Sequence, residues 1–331
     1  MIKVTFYTRS DCRLCEEALQ HLDSLKEEYP HEVVLIDVDD SPELARIFGE
    51  AVPVIEIGPY RLSAPFTRQD LMITMGAAID REVHLDQIAS EHDRPRHVIP
   101  QEISTSDRLI FWFSRHYLAV FNILVFLYVG LPFLAPILLK VNAPAPAEVI
   151  YRMYSALCHQ YGFRSWYLFG EQPVYTREAA GMEELLTFDE ATGLNSNDII
   201  VAREYVGNEI VGYKVAYCQR DIAIYGAILI FGLVFAISKR RLPPLPWYLW
   251  VVIGMVPVGL DGLSQLLSQP PFDLWVYRES TPLLRTVTGV LFGFTTAWFG
   301  YPLFEETMEE ARQLLAVKFA KVRSGISSVT K

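Results

Sequence analysis

Two cysteines near the start of the chain have the spacing of a redox motif. Cys12 and Cys15 enclose Arg13 and Leu14, and a β-rich run, Val4–Tyr7, ends just before them. A helical pattern follows, so Cys12 is expected at a helix N-terminus, where free amides and the helix dipole stabilise a thiolate. The second thiol, one turn inside, is placed to break a mixed disulfide. Half of a zinc site is an alternative, but this part of the sequence has no second Cys-x-x-Cys pair.

A second set of reactive residue types lies at the edges of the later apolar runs, where such groups are costly and usually functional. The set comprises Cys158, His159, Cys218, Arg220, Asp221, Asp261, Gln265, Arg278, Glu279 and Arg285. Cys158, His159 and Cys218 supply two thiolates and an imidazole, which suit zinc or another borderline-soft metal. Asp221, Glu279 or a water would complete four ligands. Two further interpretations are a disulfide between the two cysteines and a satisfied polar network that only fixes a helix bundle.

Composition predicts a membrane protein with an acidic soluble part. A length of 331 residues is enough for two domains, and 51% hydrophobic residues with a mean hydropathy of +0.20 is high for a soluble protein. Residues 1–100 carry nearly all of the net charge of −10. This distribution argues against nucleic acid as a partner, because phosphate binding requires clustered Lys and Arg. No signal peptide pattern follows Met1, so we expect a cytoplasmic N-terminus.

Residues 1–84 show the pattern of a small α/β domain. Periodicity and capping signals give the order β-α-β-α-β-β-α, with Ser41 and Pro42 opening the second helix and a Thr67/Asp70 capping box opening the third, which is expected to end near Ile79. This order is that of a thioredoxin-like fold. A polar stretch without periodicity, residues 85–107, is predicted to be a linker.

Residues 108–305 are predicted to form an all-α membrane domain of four helices. The expected spans are about 117–139, 221–238, 246–267 and 284–304, each near the 20 residues that one crossing needs. Lys239-Arg240-Arg241 place the link between the second and third spans inside, so both termini are expected in the cytoplasm of a multi-pass cell-membrane protein. Residues 140–216 then form an extracytoplasmic insert, in which 199–205 and 210–216 are expected as paired strands. Residues 306–331 are predicted to be a cytoplasmic tail.

The first 80 residues resemble the glutaredoxin-like branch of the thioredoxin superfamily. The resemblance rests on the run from Ser10 to Cys15 and on Val52-Pro53. It implies that Cys12 is the nucleophile, that Cys15 is the resolving thiol, and that Val52-Pro53 is a cis bond whose backbone pairs with an extended substrate, next to Arg13. It also makes glutathione a candidate cofactor, although residues 58–66 contain no Gly-Gly pair of the kind that usually holds it. A thioredoxin fold used only for docking is the alternative.

Residues 115–305 resemble a bacterial and archaeal membrane family of unknown function. The shared motifs are Cys158-His159-Gln160, Cys218-Gln219-Arg220, Asp261-Gly262-Leu263-Ser264-Gln265, Arg278-Glu279-Ser280 and Arg285-Thr286-Val287-Thr288-Gly289. The resemblance identifies a site without giving its use.

The function predicted from these observations is that of a membrane-anchored, glutaredoxin-like thiol-disulfide oxidoreductase. Its partners would be the lipid bilayer and a thiol or disulfide in a protein or small molecule. Two alternatives remain: a metal-binding or small-solute membrane protein with an accessory redox domain, and a structural or adaptor membrane subunit.

Overall fold

The chain forms two compact units, Met1–Arg115 together with Thr307–Lys331, and His116–Glu306. A computed structural model describes residues 2–91 and 102–325. The elements of the first 91 residues are β1 (Ile2–Thr8), α1 (Arg13–Ser24), β2 (His31–Asp37), α2 (Pro42–Phe48), β3 (Val54–Ile57), β4 (Tyr60–Ser63) and α3 (Arg68–Glu91).

The N-terminal sheet has the strand order β2-β1-β3-β4. β1 pairs in parallel with β2 and antiparallel with β3, and β3 pairs antiparallel with β4. Val4 and Phe6 of β1 are fully buried in a core with Leu22 of α1 and with Leu71 and Met75 of α3. The predicted thioredoxin-like α/β fold is therefore confirmed.

Two predicted boundaries in this unit were wrong. α3 runs to Glu91 and the next helix, α4 (Thr105–Lys140), begins well before the predicted span, so both ends of the predicted linker are helical; residues 92–101 lie outside the described chain. A capping box starts α4, because the N–H of Asp107 donates to Ser104 Oγ at 3.1 Å and the N–H of Ser104 donates to Asp107 Oδ2 at 2.8 Å. Hydropathy locates the apolar part of a helix, whereas capping groups decide where the helix begins.

The predicted C-terminal tail is also largely helical, because the last helix, α10 (Pro282–Arg323), continues past the predicted end of the fourth span. Its final turns pack on the N-terminal sheet domain: Ala316 is buried in one apolar cluster with Tyr7 and Phe48. Lys321 Nζ lies 2.8 Å from Glu56 Oε2. The start of α4 belongs to the same unit, and there Arg115 Nη2 lies 2.7 Å from Glu43 Oε1. The N-terminal unit is thus completed by the ends of two long helices.

Within residues 2–91 and 102–325, four helices are long and apolar enough to cross a membrane. They are α4, α8 (Gln219–Ile237), α9 (Trp247–Leu267) and α10. The four apolar helices predicted for this region are confirmed, whereas the segment between the first two of them is not all-α. Within α9, residues Trp250–Met255 form a π-helical turn just before Pro257, whose missing N–H interrupts the regular ladder.

Between α4 and α8 lies a small mixed subdomain. It contains α5 (Pro144–Ser155), β5 (Ser165–Leu168), α6 (Phe188–Thr192), α7 (Ile199–Glu204), β6 (Gly207–Asn208) and β7 (Gly212–Cys218). The three strands pair in the order β5-β7-β6.

The strand predicted over 199–205 was wrong, because these residues form helix α7. The β-branched residues there favour a strand, but the Asp198 side chain accepts hydrogen bonds from the N–H groups of Ile200 and Val201 at 3.0 and 3.2 Å. This N-cap selects the helix. A shorter hairpin than the predicted one is formed by the antiparallel strands β6 and β7.

Candidate functional site

The two N-terminal cysteines lie where the first strand passes into the first helix. Cys12 is the N-cap of α1, and its sulfur accepts a hydrogen bond from the backbone N–H of Cys15 at 3.2 Å. A disulfide joins the two residues. Cys12 is half-buried, whereas Cys15 is only 2% exposed. The sulfur that a large partner can approach is therefore that of Cys12.

The residues that the resemblance assigned to substrate binding flank this pair in different ways. Val52 packs, like Cys12, against the core of the sheet domain. The Val52–Pro53 bond is cis, and the Pro53 carbonyl accepts a hydrogen bond from the N–H of Ala64 at 3.1 Å. Arg13 projects into solvent, with 89% of its side chain exposed, and pairs with Glu17 at 3.2 Å. A cation thus stands on the surface beside Cys12.

In the second unit, the structure brings together two thiols and a carboxylate. One ligand atom each from Cys158, Cys218 and Asp221 lies within 4.8 Å of the other two. Cys218 Sγ donates to Asp221 Oδ2 at 2.9 Å, and the N–H of Gln160 donates to Cys158 Sγ at 3.4 Å. Cys158 follows the end of α5, and Cys218 ends β7 and caps α8. We call these three residues the thiol cluster.

The two thiols of the cluster are unequal. The hydrogen bond between them lowers the pKa of Cys158, while that same interaction, reinforced by burial, raises the pKa of Cys218 well above its usual value. Cys158 is therefore the first of the pair to become a thiolate.

His159 lies apart from the thiol cluster. It is exposed, and its ring stacks on that of Tyr161 with centroids 5.3 Å apart. Among the described residues it belongs to no group that could hold a metal ion. The structure thus places Asp221, rather than His159, next to the two thiols.

Asp261 is the centre of one buried charge network. Arg278 Nη2 donates to its Oδ1 at 2.9 Å, Ser280 Oγ donates to its Oδ2 at 2.8 Å, and Arg220 pairs with the same Oδ2. Asp261 is 5% exposed. A carboxylate this deep is stable only with such partners.

Glu279 is the centre of a second network. Arg164 Nε and Nη2 donate to its two carboxylate oxygens at 2.8 and 3.0 Å, and Arg285 pairs with Oε1. Arg285 also donates to Gln265 Oε1 at 2.9 Å. Because Gln265 donates to Asp261 Oδ2 at 3.4 Å, it joins the two networks.

Three members of these networks were not predicted from the sequence. Arg164 and Arg177 come from the loops of the small subdomain, and their partner Glu279 is more than 100 residues away, a pairing that no local pattern reveals. Ser280 is a third partner that was not assigned a role. Asp221, which the sequence analysis offered as a possible fourth metal ligand, accepts a hydrogen bond from Cys218.

Next to Cys158 lies a buried lysine that the sequence analysis did not identify. Lys214 is fully buried in β7, and its Nζ donates to the carbonyl of Gln160 at 2.9 Å. Burial lowers its pKa to about 7. It lines a cavity of about 710 Å³ between α5 and α7. Lys214 lies within the predicted strand 210–216, and the sequence there gave no sign that its side chain is buried.

A mixed sheet with a Cys-x-x-Cys pair at the start of its first helix and a cis-proline before its third strand defines a domain of the thioredoxin-like fold. The rest of the chain defines a helical membrane protein with a thiol cluster and two buried charge networks. Both classes agree with comparisons against known families. Residues 3–90 match the model described as "Glutaredoxin-like domain (DUF836)", and residues 209–299 match "Predicted membrane protein (DUF2085)". The fusion suggested by the two resemblances is therefore confirmed.

Among curated proteins, the chain is similar to "Uncharacterized protein MJ1492" of Methanocaldococcus jannaschii. The two are 33% identical over 101 residues, which is 29% of this chain and 58% of the relative. The match thus spans a little over half of that protein. A comparison with solved structures found no match.

Proposed function

We propose that the protein is a membrane-anchored thiol-disulfide oxidoreductase that reduces disulfides through Cys12 and Cys15. The observation that carries this proposal is the position of Cys12 at the N-cap of α1, with Cys15 enclosed behind it. A helix N-terminus offers free amides to a thiolate sulfur, which favours Cys12 as the nucleophile. A docking domain has no need of this arrangement.

The reaction proceeds by two thiol-disulfide exchanges. In the reduced protein, the Cys12 thiolate attacks one sulfur of a partner's disulfide, and the other partner sulfur leaves and takes a proton. Cys15 then attacks the Cys12 sulfur and releases the partner's second thiol. The partner gains two electrons and two protons, and the Cys12–Cys15 disulfide forms. A small thiol or dithiol, with glutathione as the candidate monothiol, supplies the two electrons that restore the reduced pair.

The second part of the proposal is the orientation of the chain in a membrane. We place the N-terminal unit in the cytoplasm, since Lys239-Arg240-Arg241 follow α8 and basic links favour that side. Four crossings then leave the end of α10 on the same side. A reducing compartment keeps the Cys12–Cys15 pair available as a dithiol. In intact cells, a membrane-impermeant thiol reagent should leave Cys12 unlabelled. Labelling of Cys12 would show that the N-terminal unit lies on the outer side of the membrane.

The activity is tested with full-length protein in detergent. The measurement is the rate at which a protein disulfide is reduced at a fixed concentration of dithiothreitol, above the rate without protein. Cys12→Ser should lose this activity. The matched control, with Cys158→Ser and Cys218→Ser together, should retain it. Wild-type activity in Cys12→Ser would refute the proposal and favour the adaptor alternative.

The reductant is tested in the same assay by replacing dithiothreitol with glutathione. Sustained turnover with glutathione would identify it as the electron donor. We expect slower turnover with glutathione than with the dithiol, because residues 58–66 lack the Gly-Gly pair that usually holds glutathione. Equal rates would contradict that expectation and leave the role of Cys12 intact.

A further inference from the structure

We infer that Cys158, Cys218 and Asp221 form a binding site for a borderline-soft divalent metal ion of the zinc class, with one coordination position open to water or a small ligand. This site is independent of the Cys12–Cys15 pair. It concerns the second unit only.

The first argument is the geometry of the ligand atoms. Two sulfurs and a carboxylate oxygen lie within 4.8 Å of one another, and Cys218 and Asp221 are already linked at 2.9 Å. Ligand atoms about 2.0–2.3 Å from a tetrahedral ion are separated by less than about 4 Å. Small side-chain rotations are thus sufficient to bring all three onto one ion.

The second argument is how the chain places these ligands. Cys218 caps α8 and Asp221 lies in its first turn, so their side chains meet at the start of one helix. Cys158 reaches them from the loop after α5, where its backbone N–H donates to the carbonyl of Tyr154 at 2.9 Å. The N–H of Gln160 donates to Cys158 Sγ at 3.4 Å, an outer hydrogen bond of the kind that orients metal ligands. A disulfide between Cys158 and Cys218 would not explain why the Asp221 carboxylate lies beside both thiols.

The third argument is charge. A divalent ion with two thiolates and one carboxylate has a net charge of −1, and a buried anion needs cations around it. The two adjoining networks contain five arginines, namely Arg164, Arg177, Arg220, Arg278 and Arg285. They contain two carboxylates, Asp261 and Glu279. Arg164 and Arg285 are near enough to Cys218 to interact with it electrostatically. The surplus of arginines thus favours an anionic metal complex.

The number of protein ligands predicts an open position. Glu279 is occupied by its arginines, and His159 is exposed and stacked on Tyr161. Three protein ligands and an exchangeable fourth are the pattern of catalytic zinc sites, whereas structural sites have four. Any ligand that enters will meet the positive networks, so an anion is favoured at this position.

The test uses full-length protein in detergent that carries Cys12→Ser and Cys15→Ser, so that the N-terminal pair contributes no thiolate. After reduction and removal of the reductant, Co²⁺ is titrated as a spectroscopic probe and Zn²⁺ is added as a competitor. We expect one Co²⁺ per chain, with thiolate-to-cobalt charge-transfer absorption that Zn²⁺ abolishes. Cys158→Ala and Cys218→Ala should lose this absorption.

Asp221→Asn keeps the shape of the side chain and serves as the variant least apt to disturb folding. It should weaken Co²⁺ affinity by at least the roughly 10–100-fold typical of a lost outer-sphere partner. His159→Ala is the matched control and should bind like the parent. Absence of Co²⁺ binding by the reduced parent, equal binding by Cys158→Ala, or a Cys158–Cys218 disulfide in protein isolated from intact membranes would overturn the inference. None of these outcomes would affect the activity assigned to Cys12.

Discussion

The sulfur of Cys12 accepts a hydrogen bond from the backbone N–H of Cys15 at 3.2 Å, so the N-cap residue of α1 is held by a residue in the first turn of that helix. The two thiols therefore differ in access: Cys15 is enclosed by the core that contains Ala18 and Leu22, and Cys12 stands at its edge. In the proposed reaction, this difference favours Cys12 as the nucleophile and Cys15 as the resolving thiol.

Limited alkylation of the reduced protein should modify Cys12 well before Cys15. The physical reason is that Cys15 is 2% exposed, and that the start of α1 stabilises a thiolate at Cys12. The measurement is mass spectrometry of peptides after a short exposure to limiting iodoacetamide. Equal modification of the two cysteines, or faster modification of Cys15, would contradict the assignment of roles.

Glu56 should make the N-terminal unit sensitive to acid. Burial alone would raise its pKa, but the hydrogen bond from Lys321 and the charges of Lys321 and Arg61 lower the pKa of Glu56 below its ordinary value. A carboxyl with a depressed folded-state pKa contributes stability that is fully present above its unfolded pKa, and this stability is lost as the pH falls through the folded value. The stability difference between wild type and Glu56→Gln should be constant near neutral pH and shrink below about pH 4.5.

Chemical denaturation of the two proteins at several pH values measures this difference. A difference that stays constant down to pH values well below the usual carboxyl pKa would show that Glu56 is not held in the observed ion pairs.

Glu279→Gln should strongly destabilise the second unit. The substitution leaves Arg164 and Arg285 without their carboxylate in a site where Glu279 is 4% exposed. Removing one member of a buried pair costs about 3–5 kcal/mol. Arg152→Gln is the control, because Arg152 and Glu148 are 77% and 69% exposed and such a pair contributes about 0–1 kcal/mol. Thermal unfolding in detergent compares the two variants. Equal melting temperatures of Glu279→Gln and Arg152→Gln would contradict the buried network.

Gly293→Ala should destabilise the second unit by forcing α8 and α10 apart. A Cβ at this position would lie 2.1 Å from the backbone oxygen of Ile224, which cannot move without shifting its helix. Overpacking of this kind costs about 1–3 kcal/mol. Gly300→Ala is the matched control in the same helix, because nothing lies within 4 Å of its Cβ position. That variant should be neutral or more stable by up to about 1 kcal/mol.

Thermal unfolding of the two glycine variants shows whether the loss of stability comes from the close contact between α8 and α10 or from any substitution of a glycine in α10. A loss of stability in Gly300→Ala equal to that in Gly293→Ala would contradict the contact with Ile224.

The sequence was most informative where the signal is local. The Cys-x-x-Cys spacing, the strand before it and the helix after it are contained in about twenty residues, and they identified the fold and the redox pair. The Thr67/Asp70 capping box was also correct: Thr67 N donates to Asp70 Oδ2 at 2.7 Å. Local hydrogen bonds and periodicity do not depend on the rest of the chain, so they can be inferred from sequence.

Long-range relationships could not be inferred in the same way. The sequence shows how long the apolar part of each candidate membrane helix is. It does not show that Ala316 packs in one cluster with Tyr7, because these residues are more than 300 positions apart. The sequence analysis placed His159 with the two thiols and Asp221 only as a possible fourth ligand, whereas Asp221 lies beside the thiols and His159 is exposed. Which of the two faces the thiols depends on how the loop after α5 ends. Arg164 reaches Glu279 only because the small subdomain folds back on the helices of its own unit.

The most direct test of the central claim is to trap the reaction intermediate with Cys15→Ser. This variant keeps the nucleophile and lacks the thiol that resolves the mixed disulfide, so a disulfide-bonded partner or substrate should accumulate on Cys12. Mass spectrometry of non-reduced peptides from full-length protein, also carrying Cys158→Ser and Cys218→Ser, locates the bond. The account predicts a mixed disulfide at Cys12 that dithiothreitol releases and that Cys12→Ser abolishes. Failure of Cys12 to form any mixed disulfide with an excess of a protein disulfide would contradict it.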